Sequence, residues 1–265
     1  MSLSSVGEGA TRRGSIRSSR CRGGLFWQGV IVFNYFGSKS KLVRLYPEPE
    51  YDTIIEPFCG SARYALWYYN RNVILCDADP RICRIWKWLI KDATVADIQS
   101  LPELVQGESR KRHKYLSIEE QWLLSLLVNR GHASIGQCET MTEWSYDQGD
   151  GNIPRFKRFA IRMLPRIRHW KIFNTLYQKL RINPCATWFI DPPYNYAAGD
   201  SYRYGQSAID YARLAKWVRS RRGQVIVCEH PQATWLPFTP LKTRQMGIKG
   251  TLKEAMFTED YGCKR

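Results

Sequence analysis

The chain has 265 residues, 44% of them hydrophobic and 24% charged. That suits one large domain, or a domain plus a lobe, which buries enough surface to need no disulfide framework. Forty Lys and Arg against 24 Asp and Glu leave a formal charge of +16, which points to a polyanionic partner, nucleic acid before membrane.

Residues 1–24 are rich in Ser, Gly and Arg with a single acid, Glu8. Such a stretch cannot offset its ordering entropy by burial, so it is expected to be a disordered basic arm. No apolar run reaches the roughly 18–20 residues of a membrane helix; Leu25–Phe36 is broken by Gln28 and Asn34.

From there strand and helix signals alternate. Thr53–Glu56 reads as a short buried strand, Ser61–Tyr69 as a helix, Val73–Cys76 as a second strand and Pro80–Ile90 as a second helix capped by Asp79. The strand pattern then lapses until Arg181. Ile118–Asn129 is a strongly apolar helix, and Ile153–Trp170 is helical with breaks near Pro154 and Pro165. Between Gly151 and Arg181 stand nine Lys or Arg and no acid. Such a run is a solvated helix face or a phosphate-contacting one, and the interleaved Phe156, Phe159, Trp170 and Phe173 favour phosphate. Ala186–Ile190 is a strand, Ser207–Arg219 a helix and Gln224–Cys228 another strand. The expected fold is α/β, a Rossmann-like parallel sheet with helices on both faces and an inserted, mainly helical lobe. The boundaries follow: 25–90 and 171–265 form the sheet domain, and 91–170 the insert.

The eight cysteines include no CxxC pair, and the four histidines none at ligand spacing. Buried reduced thiols and no metal are expected.

Asp191-Pro192-Pro193-Tyr194 follows an apolar strand, where α/β sheets bind their ligands. Two prolines stiffen the turn, remove two donors and leave carbonyls as acceptors. A carboxylate and a carbonyl beside a flat ring suit an exocyclic amine on a planar base. Glu56-Pro57-Phe58-Cys59-Gly60-Ser61-Ala62 is a small-residue turn between strand and helix, lacking the GxGxxG of dinucleotide sites, so a nucleoside without pyrophosphate fits better. Asp77 ends the second strand, where a carboxylate can accept both ribose hydroxyls. Asn34-Tyr35-Phe36-Gly37-Ser38-Lys39 precedes the first strand and can form a pocket wall.

In residues and order, these motifs resemble the Dam-like DNA adenine-N6 methyltransferases (D12 class, alpha group), over roughly residues 33–230. Leu127-Val128-Asn129-Arg130-Gly131 and Gly151-Asn152-Ile153-Pro154-Arg155-Phe156-Lys157 are similar to segments at the start of that family's recognition lobe. The resemblance implies S-adenosylmethionine as methyl donor and a flipped adenine in double-stranded DNA as acceptor. It implies Asp191, Pro192, Pro193 and Tyr194 as the catalytic tetrapeptide. The cofactor would be held by Tyr35, Phe36, Gly37, Lys39, Glu56, Phe58, Cys59, Gly60, Ser61, Asp77, Ala78 and Asp191. DNA would be met by Asn129, Arg130, Arg155 and Lys157. The family usually has a second glycine where this chain has Ala62, an exchange that fits a backbone that is not left-handed. The expected protein is a cytoplasmic monomer of a bacterial cell or phage-infected host, with no membrane or metal partner. Two other readings stand beside this one: an RNA guanine-N2 methyltransferase, and a non-catalytic nucleic-acid-binding protein on a methyltransferase scaffold.

Overall fold

A computed structural model of the protein describes residues 39, 42–128, 135–136, 139–141, 153–196, 203–241 and 254–263. The basic arm, Tyr35, Phe36, Gly37, Asn129 and Arg130 lie outside the described residues.

Seven strands form one sheet in the order β3-β2-β1-β4-β5-β7-β6. They are β1 (Thr53–Glu56), β2 (Asn72–Asp77), β3 (Lys171–Asn174), β4 (Thr187–Ile190), β5 (Gln224–Glu229), β6 (Thr239–Pro240) and β7 (Ala255–Asp260). β1 to β5 pair in parallel, but β7 runs antiparallel to both β5 and β6. The expected α/β, Rossmann-like sheet is thus present, and β7 makes its otherwise parallel order mixed. The strand order turns back between β1 and β4, which makes their carboxyl ends the place for a ligand cleft.

Among the described residues the helices are α1 (Arg63–Trp67), α2 (Pro80–Lys91), α3 (Val95–Ser100), α4 (Ile118–Val128), α5 (Ile153–Ile167) and α6 (Tyr211–Arg219). Asp79 caps α2 as expected: its side chain accepts from Arg81 N at 2.9 Å, with Pro80 in the first turn. The expected breaks in α5 do not occur. Pro154 falls in the first turn, where no N–H is needed, and Pro165 in the last. The helix expected from Ser207 begins instead at Tyr211, after a 3-10 turn at Gln206–Ala208, because Asp210 caps it through Arg213 N at 2.9 Å.

Ile82, Ile85, Trp86 and Leu89 of α2 pack in one core with Leu123, Leu126 and Leu127 of α4 and with Phe156, Met163 and Leu164 of α5. Fully burying each large apolar side chain contributes roughly 1.5–3 kcal/mol. Helices α4 and α5, which fall in the stretch expected as an insert, thus share one core with Ile54, Leu75 and Phe189 of the sheet.

The cysteines depart from expectation. Cys59, Cys76, Cys83 and Cys228 are buried free thiols, but Cys185 and Cys263 form a disulfide across 78 residues. Spacing could not show this pair, because tertiary structure brings it together. Gly223 makes the approach possible: its φ is +92°, and a Cβ there would sit 2.4 Å from the Ala186 carbonyl oxygen.

Candidate active site

Four parallel strands aim their carboxyl ends at one cleft of about 1000 Å³, counted to its open mouth. β1 delivers Glu56, and the chain then turns through Pro57–Ala62 into α1. Gly60 has φ 42°. Ala62 has φ 47° and ψ 47°, so the exchange of glycine for Ala62 does fall on a left-handed backbone, against expectation. An L-residue costs about 1–2 kcal/mol there. Burial of its methyl to 1% exposure offsets part of that, roughly 0.8 kcal/mol. Ala62→Gly is therefore expected to change stability by less than ~1 kcal/mol, since relief of strain, lost burial and greater unfolded-state entropy nearly cancel. Ala62→Val should cost more than ~2 kcal/mol, because a β-branched residue is a steric outlier at this φ. Urea unfolding of the three proteins checks the ranking, and equal midpoints for Ala and Val would contradict it.

Glu56 is 3% exposed and accepts from Ala65 N at 2.6 Å. Burial pushes its pKa up to about 8. β2 delivers Asp77, whose Oδ2 accepts from Gly60 N at 3.0 Å and Oδ1 from Asp79 N at 2.9 Å. The carboxylate thereby clamps the turn after β1 to the turn after β2. Burial pushes its pKa up to about 6, and these two backbone bonds pull it partly back. Oδ2 also takes the weakly donating Cys59 thiol at 3.8 Å, Oδ1 keeps a further lone pair, and Asp77 lines the cleft.

β4 delivers Asp191. Lys39 Nζ lies 2.8 Å from its Oδ1 and 4.7 Å from the centroid of the Tyr194 ring. Burial raises the Asp191 pKa, and the ion pair with Lys39 offsets only part of the rise. The Tyr211 hydroxyl donates to the Pro193 carbonyl at 2.6 Å, while the Pro192 carbonyl has no partner among the described residues. The Tyr194 hydroxyl donates to Glu254 at 2.6 Å. Asn195 N donates to both oxygens of Glu229 at 3.1 Å, and Glu229 also takes His230 N and Trp235 Nε1. Glu229 thus anchors the loop after the tetrapeptide to the end of β5.

The cleft brings together Lys39, Glu56, Phe58, Cys59, Gly60, Ser61, Asp77, Ala78, Asp191 and Pro193. Pro192 and Tyr194 stand beside it rather than in its lining. Arg155 is exposed on α5. Lys157, two residues on, turns to α3, bonding the Gln99 carbonyl at 3.0 Å and Glu103 at 3.2 Å. Sequence reasoning missed the wall from Thr175 to Tyr177, since β3 before it was not read as a strand. It also missed Arg63 and the buried pair Glu229 and Glu254. Glu229 had a signal, an acid at the carboxyl end of an apolar strand; Glu254 had none.

Residues 35–147 match the family model of the D12 class N6 adenine-specific DNA methyltransferases. The likeness to Dam-like, D12-class enzymes is thereby shown for this stretch. No curated protein matches the chain. The matched stretch contains Lys39, the turn after β1 and Asp77. Asp191–Tyr194 lies beyond it in sequence and is joined to it by the Lys39–Asp191 ion pair and the shared cleft. The matched family methylates adenine N6 in DNA. Among the described residues no cluster of three or more His, Cys, Asp or Glu could hold a metal ion, and no helix is long and apolar enough to cross a membrane.

Proposed function

We propose that this protein transfers a methyl group from S-adenosylmethionine to N6 of an adenine flipped out of double-stranded DNA. The observation that carries the reading is that Asp77 and Asp191 open on one cleft, with the Pro192 carbonyl beside it unpaired among the described residues. The residues present fit the donor. A half-buried carboxylate with one oxygen open and the other sharing only a weak thiol donor suits a ribose diol, the left-handed turn at Gly60 lets a ligand approach the backbone, and the carboxylates of Asp77 and Asp191 suit a cation. When bound, S-adenosylmethionine supplies an already activated methyl group.

The protein's task is then orientation and a better amine. Adenine N6 is a poor nucleophile because its lone pair is delocalised into the ring. The second oxygen of Asp191 and the Pro192 carbonyl accept its two N–H bonds, which draws nitrogen toward sp3 and frees the lone pair. The Lys39 ion pair favours the anionic form of Asp191 against the effect of burial, and that carboxylate, an acceptor only, takes the proton after N6 has become cationic. Extruding the base costs a few kcal/mol; stacking on Tyr194 returns roughly 1–3 kcal/mol. The insert at 91–170, with its cationic α5, serves as the DNA-recognition lobe.

The test is incubation of the purified protein with methyl-labelled donor and either duplex DNA or RNA, followed by nucleoside mass spectrometry. N6-methyladenine in DNA supports the reading. Label confined to guanine in RNA, or DNA binding without transfer, rejects it.

The cofactor half has its own pH signature. Asp77 must be ionised to accept two ribose donors, and its pKa is raised to about 6. Affinity for S-adenosylhomocysteine is expected to hold above pH 6 and to fall by up to about tenfold per unit below it. In Asp77→Asn the affinity should be weaker throughout and lose that step. Calorimetric titration between pH 5 and 8 checks this; a pH-independent wild type would exclude the ribose role.

A further inference from the structure

Glu254 belongs to none of the sequence motifs, yet its carboxylate sits directly behind the Asp191–Tyr194 corner. Its Oε1 accepts two hydroxyls at once, from Tyr194 and from Tyr46, each at 2.6 Å. Glu254 is 5% exposed and Tyr46 4%. The Glu254 carbonyl accepts from Leu241 N at 3.0 Å. The next residue, Ala255, opens β7 and pairs with Glu229 at the end of β5. The carboxylate is therefore fixed to the same strand pair that anchors Asn195.

Burial pushes both tyrosine pKa values well above the ordinary phenol, so both hydroxyls remain donors. Lys39 adds a cation to the group, bonded to Asp191, above the Tyr194 ring and drawing on Glu254. A buried carboxylate is costly unless fully hydrogen-bonded, and an apolar residue of equal volume would stabilise the fold as well. What the polar arrangement adds is position. The Tyr194 ring has two torsions; its backbone follows two prolines, and Glu254 holds its far end. Mispositioning by about 1 Å near a reacting centre costs on the order of 100-fold.

We propose that Glu254 is a positioning residue for methyl transfer, holding the Tyr194 hydroxyl so that the ring and the adjoining Asp191 keep one orientation toward the adenine. This rests on the reading of Asp191–Tyr194 as the transfer site. The experiment compares wild type, Glu254→Gln, Glu254→Ala, Tyr194→Phe and Tyr194→Phe/Glu254→Ala. Transfer of labelled methyl into DNA is followed, and [ζ-13C]tyrosine NMR reports on the hydroxyls. Glu254→Gln keeps an acceptor oxygen and should stay within about threefold of wild type in kcat. Glu254→Ala and Tyr194→Phe should each lower kcat roughly 10- to 100-fold, with KM for the donor within about threefold. In the Tyr194→Phe background Glu254→Ala should then add less than about threefold.

Wild-type kcat in Tyr194→Phe would overturn the proposal. So would fully multiplicative losses in the double variant, or a loss seen only in donor KM. The NMR arm needs no turnover. The signal that disappears in Tyr194→Phe should shift in Glu254→Ala and stay near its wild-type position in Glu254→Gln. If it does not move in Glu254→Ala, Glu254 does not hold Tyr194, whatever the enzyme methylates. A wild type that transfers no methyl to DNA while this signal does move would instead count against the methyltransferase reading.

Discussion

Asp191→Asn is expected to lower methyl transfer by about 10^3-fold while leaving donor affinity within about tenfold. The amide is isosteric and can still accept from Lys39, so the fold should persist. It cannot offer an anionic acceptor to the amine, and its NH2 would present donors where N6 presents donors. Losing one preorganised partner of a transition state costs on the order of 10^2–10^3, and losing the proton acceptor adds to that. Asp191→Ala is the poorer probe. It would remove the 2.8 Å ion-pair partner of Lys39, which is 5% exposed, and breaking a buried ion pair costs roughly 3–5 kcal/mol. Inactivity of the alanine variant could then reflect unfolding, whereas thermal melting should show the asparagine variant within a few degrees of wild type. Single-turnover transfer of labelled methyl to DNA checks the rate. If Asp191→Asn keeps a tenth of wild-type activity, the carboxylate is not the amine acceptor.

The parts of the fold that could be read are those whose local signal and tertiary role agree. β1, β2, β4 and β5 are apolar, largely buried strands in the middle of the sheet, and each was expected within about two residues of where it lies. β3 is Lys-Ile-Phe-Asn at the sheet edge, mostly exposed, and an edge strand need not alternate or be apolar. β7 runs Ala-Met-Phe-Thr-Glu-Asp with its last three residues exposed, and β6 has two residues. Nothing local distinguishes either from loop, and β7 is what makes the sheet mixed. The site divides the same way. Asp77 and Asp191 stand at strand ends, where position along the chain already implies the cleft. Glu254, Tyr46 and the wall after β3 arrive from elsewhere, and only the folded chain brings them together. Lys157 shows the converse. Its charge fitted the basic run, but helical geometry turns it toward Gln99 on α3 and Glu103 just beyond it, away from the face that carries the exposed arginines.

That face is where the second large effect is expected. Arg155, Arg158, Arg162 and Arg166 recur at spacings of three and four along α5 and are all exposed, so they form one row about 16 Å long. Arg155 stands close enough to Arg63, which lines the cleft, to add its repulsion to the burial that lowers the Arg63 pKa to about 9. The row therefore starts near the cleft and leads away from it. Arg166 lies over the Tyr69 ring at 5.0 Å, while Arg158 and Arg162 make no ion pair or hydrogen bond among the described residues. Like charges at helical neighbours destabilise by roughly 0.2–0.5 kcal/mol per pair, a cost without return unless an anion lies across them. Arg158→Ala/Arg162→Ala is thus expected to raise or preserve the melting temperature. It should also weaken binding to duplex DNA of any sequence by roughly 10- to 100-fold at low salt. If each arginine neutralises one phosphate, the slope of log affinity against log salt should shrink by about 1.8. Lys157→Ala should do the opposite, lowering stability through the lost contact to α3 while leaving the salt slope unchanged. Fluorescence anisotropy across a salt series separates the two. A double variant with the wild-type slope would mean that this row faces solvent rather than phosphate, and that the duplex approaches the cleft from another side.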